Sequence, residues 1–177
     1  MQKPQTPQLL TNEKGFTLFE MIIVIIIIGL ISAFLTINYI TATTRGRDVQ
    51  RKSDVKQIRT AIEVYRIDHG YYPSTIYQGN CSQTSSLTDD TPPLNVTPVV
   101  YMQKIPCDPS GSNYYNAGKY YYNPSPAPPS QPDSYTLTSC LENSKDSQGT
   151  STTENPNRET GTPECKTSHY YKLSNAP

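Results

Sequence analysis

The chain has 177 residues, with fifteen Lys and Arg balanced by fifteen Asp and Glu and only 34% hydrophobic side chains. That neutrality supplies no basic excess for a nucleic-acid partner. The sequence contains no nucleophile elbow, phosphate loop or helical zinc motif, so it carries no catalytic signature.

In chain order, the first informative segment is Phe16 to Ile40, an almost unbroken run of Ile, Val, Leu and Phe without proline, in which Glu20 is the only charge before Thr44. About 20 such residues in an α-helix cross a bilayer core of ~30 Å. A secretory signal has a shorter apolar core of about 7–15 residues and a small-residue cleavage site; Ala42-Thr43-Thr44 is small enough to leave that alternative open, beside an uncleaved signal anchor. A lone carboxylate at the centre of such a helix costs roughly 2.5–3.5 kcal/mol, less near an interface, and usually marks function. The bland alternative is that Glu20 sits near the helix start and snorkels, helped by the positive end of the helix dipole. Flanking charge does not fix orientation: Lys3 and Lys14 precede the run, while Arg45, Arg47, Arg51, Lys52, Lys56 and Arg59 follow it.

Helical periodicity continues past the apolar run. Val55, Ile58, Ile62 and Tyr65 make one stripe, and Arg51, Lys52, Lys56, Arg59, Glu63 and Arg66 fill the remainder. Asp48 and Lys52 have the spacing of an i,i+4 ion pair. His69-Gly70, with Pro73 beyond, reads as a glycine-capped stop. One helix from about Phe16 to about Asp68 is predicted, roughly 80 Å long at ~1.5 Å per residue. Gly29 is a soft point and Gly46 the expected bend.

Beyond Pro73, the stretches Thr84 to Pro98, Asn123 to Pro132 and Ser144 to Pro163 read as polar loops. Strands are expected at Val99 to Ile105, Tyr120 to Asn123, Tyr135 to Leu141 and Tyr170 to Leu173, with a hairpin turn at Asn116 to Lys119. Three or four antiparallel strands against the helix stripe give an α+β fold with a tyrosine-heavy core. The four cysteines all follow the apolar run, which points to oxidising surroundings. Of three possible connectivities, Cys81–Cys107 with Cys140–Cys165 is expected, each closing a variable loop at typically ~2–4 kcal/mol per bond. Free thiols or zinc fit less well, since only His69 and His169 are available as further ligands. Tyr114-Tyr115 and Tyr120-Tyr121-Tyr122 have only Lys119 nearby, so strand packing explains them better than base stacking.

Gly15-Phe16-Thr17-Leu18-Phe19-Glu20 resembles the processing site of the type IV pilin and type II secretion pseudopilin superfamily. Gln50 to Arg59 with Tyr65 to Pro73 is similar to the major pseudopilin, and Lys104-Ile105-Pro106-Cys107-Asp108-Pro109 resembles the family's proline-aspartate-proline loop with Cys107 inserted. The resemblance implies a leader at 1–15, an assembly helix at 16–40 that crosses the membrane, an amphipathic continuation at 41–70 and a disulfide-stapled β-rich head at 71–177. It implies that a prepilin peptidase cuts between Gly15 and Phe16 and methylates Phe16, and that Glu20 meets the amino terminus of a neighbouring subunit. A structural, non-enzymatic filament subunit is therefore expected, first in the inner membrane with its head exported, then in a filament of the envelope or cell surface. Its partners would be identical or related subunits, the peptidase, an inner-membrane assembly platform and lipid, with no nucleic acid. Two alternatives stand beside this: a minor pilin or competence pseudopilin acting as initiator, tip adhesin or DNA receptor, and a membrane-anchored enzyme or binding protein. One departure is Ile37, where many members carry proline. No cofactor is expected; calcium is the ion the resemblance raises, with Glu142, Asn143 and Asp146 as its oxygen donors.

Overall fold

The structure, a computed structural model, describes residues 15–76, 78, 85–89, 97–151 and 163–175. The chain divides into two compact units, Met1–Thr41 and Ala42–Pro177. Helix α1 (Leu18–His69) contributes to each.

In the first unit the helix starts at Leu18 rather than Phe16 because Thr17 caps it. The Thr17 hydroxyl accepts from the Glu20 N–H at 3.2 Å, and Glu20 Oε2 accepts from the Thr17 N–H at 3.1 Å. This is a capping box, satisfying two backbone donors that a helix end otherwise leaves open. Downstream, Ser32 Oγ donates to the Ile28 carbonyl at 2.8 Å and Asn38 Nδ2 to the Phe34 carbonyl at 3.1 Å. Ser32 and Asn38 thus satisfy their side chains within the helix. The large apolar side chains here are uncovered in the lone subunit, from Ile23 at 41% to Phe16 at 78% exposure. The helical backbone is unbroken at Gly29 and, in the second unit, at Gly46.

The second unit carries the head. Strands β1 (Leu87–Thr88) and β2 (Val100–Met102) form a two-stranded antiparallel sheet. The larger sheet, in the order β3-β4-β6-β5, comprises β3 (Tyr121–Ser125), β4 (Ser134–Cys140), β5 (Thr150–Ser151) and β6 (His169–Ser174), all antiparallel. Alternation along β4 and β6 sorts two cores. Tyr135, Leu137 and Tyr171 join Val55, Ile58 and Ile62 of α1, whereas Cys140 and Tyr170 pack with Tyr115 and Cys165 in a second cluster. Cys140 and Cys165 are joined in a disulfide across a separation of 25 residues. The α+β class is as expected, and so is the tyrosine content of the core: Tyr65, Tyr72, Tyr120 and Tyr135 are all fully buried.

Three expectations need correction. The short strands β1 and β5 fall within the segments read as polar loops, since two-residue strands carry no alternation to detect. The Asn116 to Lys119 turn joins no paired strands, because β2 pairs with β1 and β3 with β4. It is instead a left-handed turn, Tyr115–Gly118, with positive φ at Asn116, Ala117 and Gly118. Gly118 folds back so closely that a Cβ there would lie 2.7 Å from the Gly111 carbonyl oxygen. Thirdly, Asp48 does not pair with Lys52. Asp48 pairs with Arg51 at 2.7 Å and Lys52 with Asp146 at 2.8 Å, because a loop of the head reaches the helix here and draws Lys52 away. At the other end, Gly70 takes φ +81° and donates to the Arg66 carbonyl at 2.7 Å, giving the glycine stop its form.

Candidate functional site

The helix start holds the residues read as processing and assembly positions. Gly15 and Phe16 are exposed ahead of the capped first turn. The Thr17 hydroxyl also approaches Glu20 Oε2, at 3.0 Å, so the cap concentrates on that one carboxylate oxygen. Among the described residues no hydrogen bond is made by Oε1.

The head holds a cluster that periodicity alone did not reveal. Arg51, assigned from its spacing to the polar side of α1, has no solvent exposure. Its guanidinium donates to Asp108 through Nε at 2.6 Å and Nη2 at 2.8 Å, to Asp48 through Nη1 at 2.7 Å and to Glu142 through Nη2 at 2.8 Å. It also lies over the Tyr114 ring, 4.3 Å from the centroid. Burial opposes the charge, but the hydrogen bonds and attraction of Asp108, with Glu142 added, carry the Arg51 pKa above its ordinary value. Arg47 reinforces the site through Nε to Glu142 Oε1 at 2.7 Å and a second bond to Oε2. The Arg47 bond is the main reason the Glu142 pKa falls to about 2.

Asp48 serves the chain that follows β4: its two oxygens accept the N–H groups of Glu142 at 2.9 Å and Asn143 at 2.8 Å. Three residues beyond Arg51, Asp54 accepts the Tyr120 hydroxyl at 2.7 Å. Burial pushes the Asp54 pKa up, against that hydrogen bond, and the nearby Asp108 charge adds to the rise. Three segments distant in sequence are thereby tied together: α1, the 105–114 loop and the 141–149 loop.

The remaining predicted positions place as follows. Cys107 is disulfide-bonded, whereas Cys81, its expected partner, lies outside the described residues. His69 ends α1, stacked on Tyr65 at 4.2 Å and facing Asp89 at 3.2 Å. Tyr114 and Tyr115 pack against the disulfide cluster. Glu142, Asn143 and Asp146 sit together on the 141–149 loop.

A serine–histidine contact joins the two strands at this edge of the larger sheet. Ser151 Oγ lies 2.8 Å from His169 Nδ1, and His169 Nε2 lies 2.9 Å from the Asp146 carbonyl, so Nε2 carries the proton and Nδ1 accepts. Gly149 abuts that ring so tightly that a Cβ would stand 2.2 Å from Nε2. The Ser151–His169 contact fastens β5 to β6. Among the described residues no cluster of three or more His, Cys, Asp or Glu has metal-holding geometry.

Comparison with known proteins adds a separate line of observation. Residues 10–36 match the family model of the prokaryotic N-terminal methylation motif, and residues 38–153 that of type II secretion system (T2SS), protein G. The chain is 31% identical over 103 residues to the type II secretion system core protein G of Pseudomonas aeruginosa, spanning 58% of this chain and 72% of that protein. Against the core protein G of Escherichia coli (strain K12) the identity is 32% over 105 residues, spanning 58% and 70%. For that of Vibrio cholerae it is 27% over 103 residues, spanning 58% and 69%. No solved structure matches.

Proposed function

The chain belongs to the type II secretion system protein G family, within the pilin and pseudopilin superfamily, and on that footing we propose that it is a structural pseudopilin that polymerises through its amino-terminal helix. The observation that carries this is an apolar helix left uncovered in the single subunit, with its only carboxylate committed to the helix start. In lipid such a surface is at rest; in water it needs partners, and neighbouring copies of the same helix supply them.

In this reading prepilin peptidase cuts between Gly15 and Phe16 and methylates the new terminus, leaving Thr17 and Glu20 as the second and fifth residues of the mature chain. Glu20 then has two tasks that one carboxylate can divide. Oε2 closes the capping box, and Oε1 is open to the amino terminus of an adjacent subunit. Charge compensation in a medium of low dielectric favours adding that subunit in register. The precursor resides in the inner membrane with its head exported, and assembly places it in a filament of the cell envelope. No enzymatic step is assigned to the chain.

The test is Glu20→Ala in cells. Membrane fractionation and amino-terminal sequencing of the product should show normal insertion and cleavage, while sheared filaments should lose the subunit. Filaments at wild-type abundance would overturn the assembly role.

A further inference from the structure

The pseudopilin resemblance raises calcium at Glu142, Asn143 and Asp146, and the chemistry of this donor set can be compared with what the ion needs. Calcium takes about six to eight oxygen ligands at roughly 2.3–2.6 Å, each through a lone pair. In this head those side-chain oxygens already face hydrogens. Glu142 Oε1 accepts from Arg47 Nε at 2.7 Å, Arg51 Nη2 at 2.8 Å and Ser110 Oγ at 3.1 Å, and Oε2 accepts from Arg47 as well. Asp146 Oδ2 accepts from Lys52 Nζ at 2.8 Å and Oδ1 from the Gln148 N–H at 2.9 Å. Asn143 Oδ1 accepts the Lys145 N–H at 3.1 Å.

We propose that Arg47, Arg51 and Lys52 are resident counter-ions of the 141–149 loop: they clasp it to α1 without a divalent cation and exclude one from it. The three cations come from adjacent turns of a single helix. Arg47 and Arg51 are one turn apart and converge on Glu142, while Lys52, next in sequence, takes Asp146. A divalent ion entering here would have to break charge-assisted hydrogen bonds at both carboxylates. It would also come to rest beside three positive side chains, two of them with little or no solvent to screen the repulsion: Arg51 is at 0% and Lys52 at 13% side-chain exposure. Asp48 completes the clasp from the same helix by accepting the N–H groups of Glu142 and Asn143. The inference concerns the head alone and holds whether or not the subunit polymerises.

Full-length protein purified in detergent provides the test, melted in millimolar calcium and again in excess EDTA, with trypsin cleavage after Lys145 as the local readout of the loop. The expected result is the same melting temperature, within about 1 °C, and the same cleavage rate in both. A micromolar calcium site would instead raise the melting temperature by several degrees in millimolar calcium; that shift, or slower cleavage with calcium, overturns the exclusion. Lys52→Gln tests the clasp separately. Cleavage after Lys145 should become about two- to five-fold faster, the range for losing a modest ion pair, and an unchanged rate overturns the role given to Lys52.

Discussion

Arg51→Met removes the cation at the centre of the head without opening much space. It leaves behind Asp48 at 1% and Asp108 at 8% exposure, two carboxylates with almost no access to water. Breaking a buried ion pair from one side costs ~3–5 kcal/mol, because the stranded charge must be held unpaired or protonated. The lower end applies here, since each carboxylate keeps other donors: Asp48 retains the Glu142 and Asn143 N–H groups, Asp108 the Ser110 N–H, and Glu142 both bonds from Arg47. A loss of about 3 kcal/mol lowers the melting temperature of a domain of this size by roughly 10 °C. Near-ultraviolet circular dichroism of the full-length protein in detergent is a suitable assay, because the tyrosines other than Tyr39 belong to the second unit. Arg51→Lys keeps the charge but loses the planar fork that reaches Asp48, Asp108 and Glu142 together, and should fall about midway. Adding Asp108→Asn to Arg51→Met should return part of the loss by discharging a stranded carboxylate. An Arg51→Met protein melting within about 2 °C of the parent would refute the reasoning and equate the cluster with an ordinary surface ion pair.

Acid should loosen the head through its depressed carboxylates. Glu142 lies at about 2 against an ordinary 4.5, and Asp146 is also lowered, chiefly by its bond from Lys52. Their stabilisation is present above the unfolded values and is lost as pH falls through the folded ones; Glu142 contributes ~1–3 kcal/mol, and a urea midpoint equal at pH ~5 and pH ~2.5 would refute this. Asp54, raised chiefly by burial, acts with the opposite sign and softens the loss. Replacing Cys140 and Cys165 together by serine opens a 25-residue link and should cost about 3 kcal/mol, read from thermal melts, while non-reducing peptide mapping of the parent should recover those two cysteines joined. Gly149→Ala would set a Cβ 2.2 Å from His169 Nε2, on a ring pinned by Ser151 and the Asp146 carbonyl; a loss of ~1–3 kcal/mol in urea titrations is expected, and an unchanged midpoint would show that the loop gives way.

Much of the fold was legible because its signals are local. The apolar run and the Val55, Ile58, Ile62 and Tyr65 stripe each follow from spacing along one helix, and the structure places them in one helix ending at His69. The strands β3, β4 and β6 were legible because short runs rich in Tyr, Thr and Leu stand there between turn-rich stretches. The failures at β1, β5 and the Tyr115–Gly118 turn share a cause: each is held by contacts with residues far off in sequence. The Asn116 N–H donates to the Pro163 carbonyl at 3.1 Å and Thr150 pairs with Tyr170, and a window of neighbouring residues registers neither.

The cluster around Arg51 was hidden for a more instructive reason. Helical periodicity sorts residues by polarity, so it sends Arg51 and Glu63 to the outer face by default. A tyrosine-rich core reverses that sorting. Each buried phenol brings a hydroxyl that needs an acceptor, and the helix supplies carboxylates: Glu63 accepts from both Tyr72 and Tyr135, each at 3.0 Å, and Asp54 from Tyr120 at 2.7 Å. Burial, reinforced by these carboxylates, holds all three phenols above their ordinary pKa. Once acids point inward, their charge must be balanced there too. Arg51 does so for Asp48, Asp108 and Glu142, and Lys52 for Asp146. In this head two sets of acids therefore turn inward, Glu63 and Asp54 toward phenols and Asp48, Asp108 and Glu142 toward Arg51, and polarity-based periodicity registers neither.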